Sequence, residues 1–198
     1  DEITSGFHDK YGGIHLKYKI NPDIAIFGKS LGNGYPISSI IGKKKIMNTA
    51  QDSFISSTMW TDKIGFVAAN KTLELMKKKK SYKILINNGK YINKKWLELS
   101  KKFELEIKIK GIDSITSFEF KKDNQLYKTF ITQEMLKYGY LASNLIYLSI
   151  LHNKKEVDKY SYFLSKVFKK IKHHSLLKKK YRILKGAISH STFKRLTD

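Results

Sequence analysis

The sequence predicts an α/β layer followed by a smaller α+β domain, and three observations carry that expectation. Residues 1 to about 65 hold most of the glycines and both prolines, Pro22 and Pro36, with short apolar runs between them. Such punctuation marks strand ends and loops in an α/β layer. From about residue 61 apolar side chains recur at helical spacing. The segments beyond follow the order strand, strand, helix, strand, helix. The expected divisions are 1–75 for the first domain, 76–173 for the second, and 174–198 for a basic tail.

Each element has its own signal. Residues 24–28 read as a buried strand, 37–42 as another and 54–57 as a third, with a short helix over 43–50. Ile64, Val67, Ala68 and Leu75 fall at helix spacing, and Trp96, Leu97, Leu99 and Phe103 finish a later helix. Strands follow at 105–109 and 115–120. A helix over 130–138 ends near Gly139, and residues 145–148 form another strand. Val157, Tyr160, Leu164, Val167, Phe168 and Ile171 mark one face of a last amphipathic helix. The opening residues 1–3 read like the end of a buried strand. With no initiating methionine, the sequence is expected to be a fragment.

Composition narrows the function classes. A chain of 198 residues, 41% hydrophobic and 13% aromatic, can bury a sizeable core. No run of about 18 apolar residues predicts a membrane helix, and no apolar leader suggests secretion. Zero cysteines exclude disulfides and thiolate metal sites, which fits a cytoplasmic protein. The formal charge of +22 first suggests a nucleic-acid partner. The lysines are spread through most of the chain beside abundant Ile, Asn and Tyr, the bias an AT-rich genome writes onto any surface. Nucleic acid is therefore not the expected partner, although a basic polyanion-binding module is the competing reading from another class. The runs 77–80 and 178–180 read as solvated faces. So does the pair His173-His174 at the end of a basic helix, in a chain without metal-ligand spacing.

The stretch IFGKSLGNGYP, residues 26–36, sets a lysine between an apolar run and a glycine-rich loop. It is not a nucleotide loop. The G-x-x-x-x-G-K-[ST] pattern requires a glycine where Asp23 stands, and Gly32, Gly34 and Pro36 interrupt the helix that should follow. The dinucleotide pattern fails at Ile37. Two readings of Lys29 survive on spacing alone. One is an ordinary lysine capping a strand. The other is a partly desolvated amine that forms a Schiff base with an aldehyde, pyridoxal phosphate being the common case. That cofactor needs a carboxylate on its ring nitrogen, for which Asp1 is a candidate.

The ordered set Asp1-Glu2-Ile3-x-Ser5-Gly6-Phe7, Pro22-Asp23-Ile24 and Phe27-Gly28-Lys29-Ser30-Leu31-Gly32-Asn33-Gly34-Tyr35-Pro36 resembles the class III aminotransferases. The branch it is most similar to is that of glutamate-1-semialdehyde 2,1-aminomutase and its aminotransferase relatives. FISSTMWTDKIG, QEMLKYGYLASNLIYLS and LKGAISHSTFKRL extend the resemblance over nearly the whole chain. It implies fold type I of the pyridoxal 5'-phosphate enzymes: the end of the large α/β domain, then the C-terminal α+β small domain. It implies amino transfer between an amine or amino acid and a keto or aldehyde acceptor, with intramolecular transfer by an aminomutase as the alternative. By the same resemblance Lys29 is the Schiff-base lysine and proton carrier, and Asp1 pairs with the cofactor ring nitrogen. Ile3 packs on a ring face, and Thr58 bonds the cofactor phosphate of a neighbouring subunit in a homodimer with shared sites. Plainer roles stay open: Ile3 in the core, Thr58 as a helix N-cap, Ser30 as a loop residue. His8 stands where the family often has Arg, and Asn33 where Gly is common. The family's phosphate loop and stacking aromatic lie upstream of Asp1, so these residues alone are expected to be inactive.

Overall fold

The apolar run after Pro22 folds as a short strand, β1 (Ile24–Phe27), antiparallel to β2 (Ser39–Gly42), with Ile24 opposite Gly42 and Phe27 opposite Ser39. The structure is a computed structural model that describes residues 1–56, 58–177 and 183–190. It divides into two units, residues 1–86 and 87–198, and this two-stranded sheet belongs to the first. Ala25 and Phe27 are buried while Ile24 is exposed, and no residue of β2 is buried. The strands expected to be buried are therefore covered on one face of β1 only. The third expected strand does not form: residues 54–56 have no regular structure and Phe54 is 97% exposed. A strand needs a ladder partner, and β1 and β2 pair with each other alone. Ser57, in that stretch, lies outside the described residues, as does the 178–180 run.

The helices of the first unit follow their caps. A short helix α1 (Lys44–Met47) continues as a 3-10 turn over Asn48–Asp52. Asp62 caps α2 (Lys63–Lys79), its Oδ1 accepting the Ile64 N–H at 3.0 Å, and the helix stops at Lys80 in a left-handed conformation, φ 48°. Helical spacing identifies α2 correctly, but the covered face is a different one. Gly65, Ala69 and Thr72 are buried, with Leu73 and Met76 packed on Phe7, Ala25, Phe27 and Leu31. Ile64, Val67 and Leu75 are exposed. Small residues win the inward face because the helix runs close to the backbone: a Cβ on Gly65 would stand 3.2 Å from Pro36 O.

The opening residues lead into a turn, not a strand end. One backbone bond ties them to the sheet, Glu2 N–H to Ile26 O at 2.8 Å. The turn is held by the Glu2 side chain, which is 4% exposed. Its carboxylate accepts bonds from Ser5 Oγ and from the His15 N–H at 3.0 Å, and lies 2.7 Å from His15 Nδ1. Burial alone would raise its pKa, but these hydrogen bonds prevail and hold it at about 2.

The second unit contains most of α3 (Ser81–Phe103), then β3 (Ile107–Ile112), β4 (Ile115–Phe120), α4 (Asn124–Leu136), β5 (Leu145–Tyr147) and α5 (Lys154–Leu176). The sheet is antiparallel in the order β3-β4-β5. Alternation along β4 turns Thr116, Phe118 and Phe120 inward. There Phe118 meets Trp96 of α3, ring centroids 4.7 Å apart, and Phe168 of α5 at 5.9 Å. Val157, Leu164, Val167, Phe168 and Ile171 of α5 are buried as their spacing predicts. The same face continues to His174, 1% exposed, whose Nδ1 lies 3.3 Å from the Tyr127 hydroxyl. The reading of His173-His174 as a solvated pair is therefore wrong for His174, which lies one turn beyond Ile171 on the buried stripe. Leu184 is also part of this core, and Gln125 Nε2 donates to Ser189 O at 2.7 Å.

Two expected outcomes follow from this packing. A Cβ on Gly89 of α3 would stand 1.7 Å from Asp113 O in the β3–β4 turn. Gly89→Ala should cost about 1–3 kcal/mol in urea unfolding, despite the roughly 1 kcal/mol helix preference for alanine; equal or greater stability would contradict the packing. Because the Glu2 pKa is lower in the folded chain, its stabilisation is full above about pH 4.5 and lost as pH falls toward about 2. Glu2→Gln should cost about 1–3 kcal/mol at pH 7. The gap to the parent chain should narrow steadily in urea titrations at pH 4 and pH 3, whereas a pH-independent gap would rule the account out.

Candidate active site

The loop after β1 is built to present one side chain. Gly28 is extended, Lys29 takes a left-handed backbone at φ 44°, and Lys29–Leu31 close a 3-10 turn. Left-handed conformations cost an L-residue with a Cβ about 1–2 kcal/mol, so surrounding contacts must enforce this one. They do so on both sides. Leu31 is buried beside Phe7 and Phe27, and Ser30 Oγ donates to Gly6 O at 2.8 Å. The loop continues through Asn33 at φ 48°, a conformation asparagine tolerates better than most residues, which explains how it stands where glycine is common. Gly32 has no such latitude, since a Cβ there would meet Tyr35 O at 2.1 Å.

The Lys29 side chain is exposed, so the desolvation expected of a lysine after a buried strand is absent. β1 is covered on one face only, and the side chain leaves it toward the opening turn. There Nζ donates to Thr4 Oγ1 at 2.6 Å. Among the described residues no carboxylate forms an ion pair with Lys29, although Lys17 pairs with Asp9 at 2.5 Å and Lys43 with Asp23 at 2.7 Å. Ile3, half-buried, stands over Gly28: a Cβ on that glycine would lie 3.6 Å from Ile3 Cγ2. Asp1 is exposed beside it, and its Oδ1 accepts the Ile3 N–H at 2.8 Å.

One turn thus gathers Asp1, Ile3 and Thr4, and Ile3 and Thr4 touch the Gly28–Lys29 segment. Thr58 is not part of that cluster. It is exposed in the turn before α2, and no described contact joins it to Asp1, Ile3 or Lys29. Nor does it cap the helix, a role taken by Asp62. His8 is half-buried with its Nδ1 unpartnered, and burial pushes its pKa down, so it does not offer the fixed cation an arginine would. Sequence reading missed Thr4 because its partner is 25 residues away and a threonine in a turn carries no spacing signal. Among the described residues no group of three His, Asp or Glu side chains could hold a metal ion, and no helix is long and apolar enough to cross a membrane.

An exposed amine on the loop after β1 thus lies beside a turn that carries a carboxylate and an apolar side chain. Comparison with known proteins identifies the family. The profile of the aminotransferase class-III family matches residues 1–148. A 3-aminobutyryl-CoA aminotransferase from Cloacimonas acidaminovorans is 31% identical over 135 residues, 67% of this chain and 33% of that one. A glutamate-1-semialdehyde 2,1-aminomutase from Wigglesworthia glossinidia brevipalpis is 29% identical over 192 residues, 87% of this chain and 44% of that one. This chain therefore spans less than half the length of these curated relatives. Among solved structures, the PLP internal aldimine form of the FumI protein of Sphingopyxis sp. MTA144 superimposes with a TM-score of 0.82 at 23% identity, covering 88% of this chain and 43% of that one. An omega-transaminase from Sphaerobacter thermophilus gives 0.76 at 16% identity, covering 85% and 43%. The fold is that of the fold type I transaminases, and the chain belongs to the class-III aminotransferase family.

Proposed function

We propose that this chain forms part of a pyridoxal 5'-phosphate-dependent aminotransferase in which Lys29 is the catalytic amine. The observation that carries the reading is the left-handed lysine after β1, pressed by its own loop toward a turn bearing a carboxylate and an apolar side chain. The residues fit the cofactor. Lys29 offers an exposed amine for the aldehyde, Asp1 an exposed carboxylate for the ring nitrogen, and Ile3 an apolar surface for a ring face. When bound, pyridoxal 5'-phosphate supplies the aldehyde and the electron-withdrawing ring that make an amine-bearing carbon acidic.

Lys29 would hold the cofactor through its ε-amine, which is exposed and so open to exchange with a substrate amine. As a neutral amine, its Nζ would accept and return a proton as the general base and acid of the site. The Asp1 carboxylate would favour a protonated ring nitrogen by placing a negative charge beside it. Ile3 would exclude water from one ring face. The substrates are an amine or amino acid and a keto or aldehyde acceptor. The aminomutase relatives support a second reading, in which one substrate both gives and receives the amino group. A requirement for a separate amine donor distinguishes transfer from mutase chemistry.

We infer further that the enzyme is a cytoplasmic homodimer, with Thr58 of each copy serving the cofactor phosphate of the other. The absence of cysteine supports the compartment. The segment around Thr58 supports the dimer: Phe54, Ile55, Trp60, Ile64 and Val67 are all more than half exposed, the character of a surface that another chain covers.

Borohydride reduction of the cofactor-loaded enzyme should fix the cofactor mass on the peptide containing Lys29. Lys29→Ala should lose that adduct and about 100- to 10,000-fold in turnover. The same adduct yield in Lys29→Ala would overturn the assignment.

A further inference from the structure

We propose that Thr4 is the positioning residue for Lys29, a neutral hydroxyl that holds the ε-amine in register without fixing its charge. The proposal rests on the reading of Lys29 as the catalytic amine and adds a residue to that site. Both ends of the contact are constrained before they meet. The Lys29 backbone is set by its left-handed φ, the buried Leu31 and the bond from Ser30 Oγ to Gly6 O. The Thr4 backbone lies in a turn closed by Gly6 N–H to Glu2 O at 2.8 Å, and anchored through the buried Glu2 carboxylate to His15. A threonine is stiff about χ1, so its hydroxyl stays where the turn places it. Lysine is the opposite, with a four-carbon stem and many rotamers. The 2.6 Å bond from Nζ to Thr4 Oγ1 is what selects among them.

The chemistry of the partner matters as much as its place. A carboxylate at this position would favour the ammonium form and keep the lone pair occupied by a proton. A hydroxyl both accepts and donates. It can accept an N–H from the ammonium, and it can turn its own O–H toward the nitrogen when the amine is neutral. Both forms are needed by a residue that attacks an aldehyde and then carries a proton. That no carboxylate among the described residues pairs with Lys29, in a chain whose neighbouring Lys17 and Lys43 each have one, fits a site that avoids a fixed counter-charge.

The test reads Lys29 itself, without the cofactor. In the chain labelled with 13C-lysine, the Lys29 ε-methylene signal is assigned by its loss in Lys29→Arg. Its relaxation is then compared with that of the exposed lysines at the end of α2. The parent chain should show a restricted Lys29 side chain. Thr4→Val, which keeps the shape and removes the hydroxyl, should make it as mobile as those lysines, and Thr4→Ser should restore the restriction. In the cofactor-loaded enzyme, Thr4→Val should lower kcat by roughly tenfold and leave KM within about twofold, with Thr4→Ser near the parent. An unchanged restriction in Thr4→Val, or a Thr4→Ser chain as mobile as Thr4→Val, overturns the proposal. Because the mobility readout needs no cofactor, such a failure leaves the borohydride assignment of Lys29 intact. A failed borohydride assignment likewise leaves the Thr4 contact to be judged by mobility alone.

Discussion

The arrangement around Lys29 depends on the buried carboxylate of Glu2. Taking an ionised group out of water is costly unless its lone pairs are occupied, and here Ser5, the His15 amide and the His15 ring occupy them. That condition dictates the path of the chain from residue 1 to residue 15. The backbone of Glu2 binds Ile26, its carbonyl receives Gly6, and Phe7 closes against Phe27 with ring centroids 5.5 Å apart. Gly13 leaves room for the cluster, since a Cβ there would lie 2.6 Å from Glu2 Oε1. Asp1, Ile3 and Thr4 flank this residue in sequence, so its anchorage places them beside the lysine loop.

The two units are stabilised by different means. The second is a conventional aromatic core in which Trp96, Phe118, Phe120 and Phe168 interlock between α3, β4 and α5. Its buried Glu134 is clamped by Lys137 and Lys170, which hold its pKa down against the upward push of burial. The first unit buries few large side chains and leaves Phe54, Trp60, Ile64 and Val67 on its surface. Its order therefore leans on hydrogen bonds of the opening turn and lysine loop, the same contacts that shape the candidate site.

What sequence reading recovers follows from which forces are local. The face of α5 from Val157 to Ile171 and the strand Ile115–Phe120 were legible because periodicity and burial coincide there. The inward face of α2 was not, because Gly65, Ala69 and Thr72 are buried for closeness of approach and not for hydrophobicity. His174 was misread because a histidine at a helix end looks solvated until Tyr127, 47 residues away, is seen beside it. Asp1, Ile3 and Lys29 were named from the ordered motif; Ile3 lies against Gly28, and the Asp1 carboxylate accepts the Ile3 amide. Thr4 was invisible, since only folding reveals that its hydroxyl meets an amine 25 residues downstream. Thr58 was named from the motif alone, and its described surroundings are a turn and a helix start.

The left-handed backbone at Lys29 has a consequence for how the position can evolve. Glycine would adopt φ 44° without steric penalty, whereas lysine there carries a standing cost of about 1–2 kcal/mol. Substitution by glycine would relieve that cost and remove the amine together. The same cost falls on Lys19 at φ 55° and Lys80 at φ 48°, so what distinguishes position 29 is the contact of its amine with Thr4 and not the backbone alone.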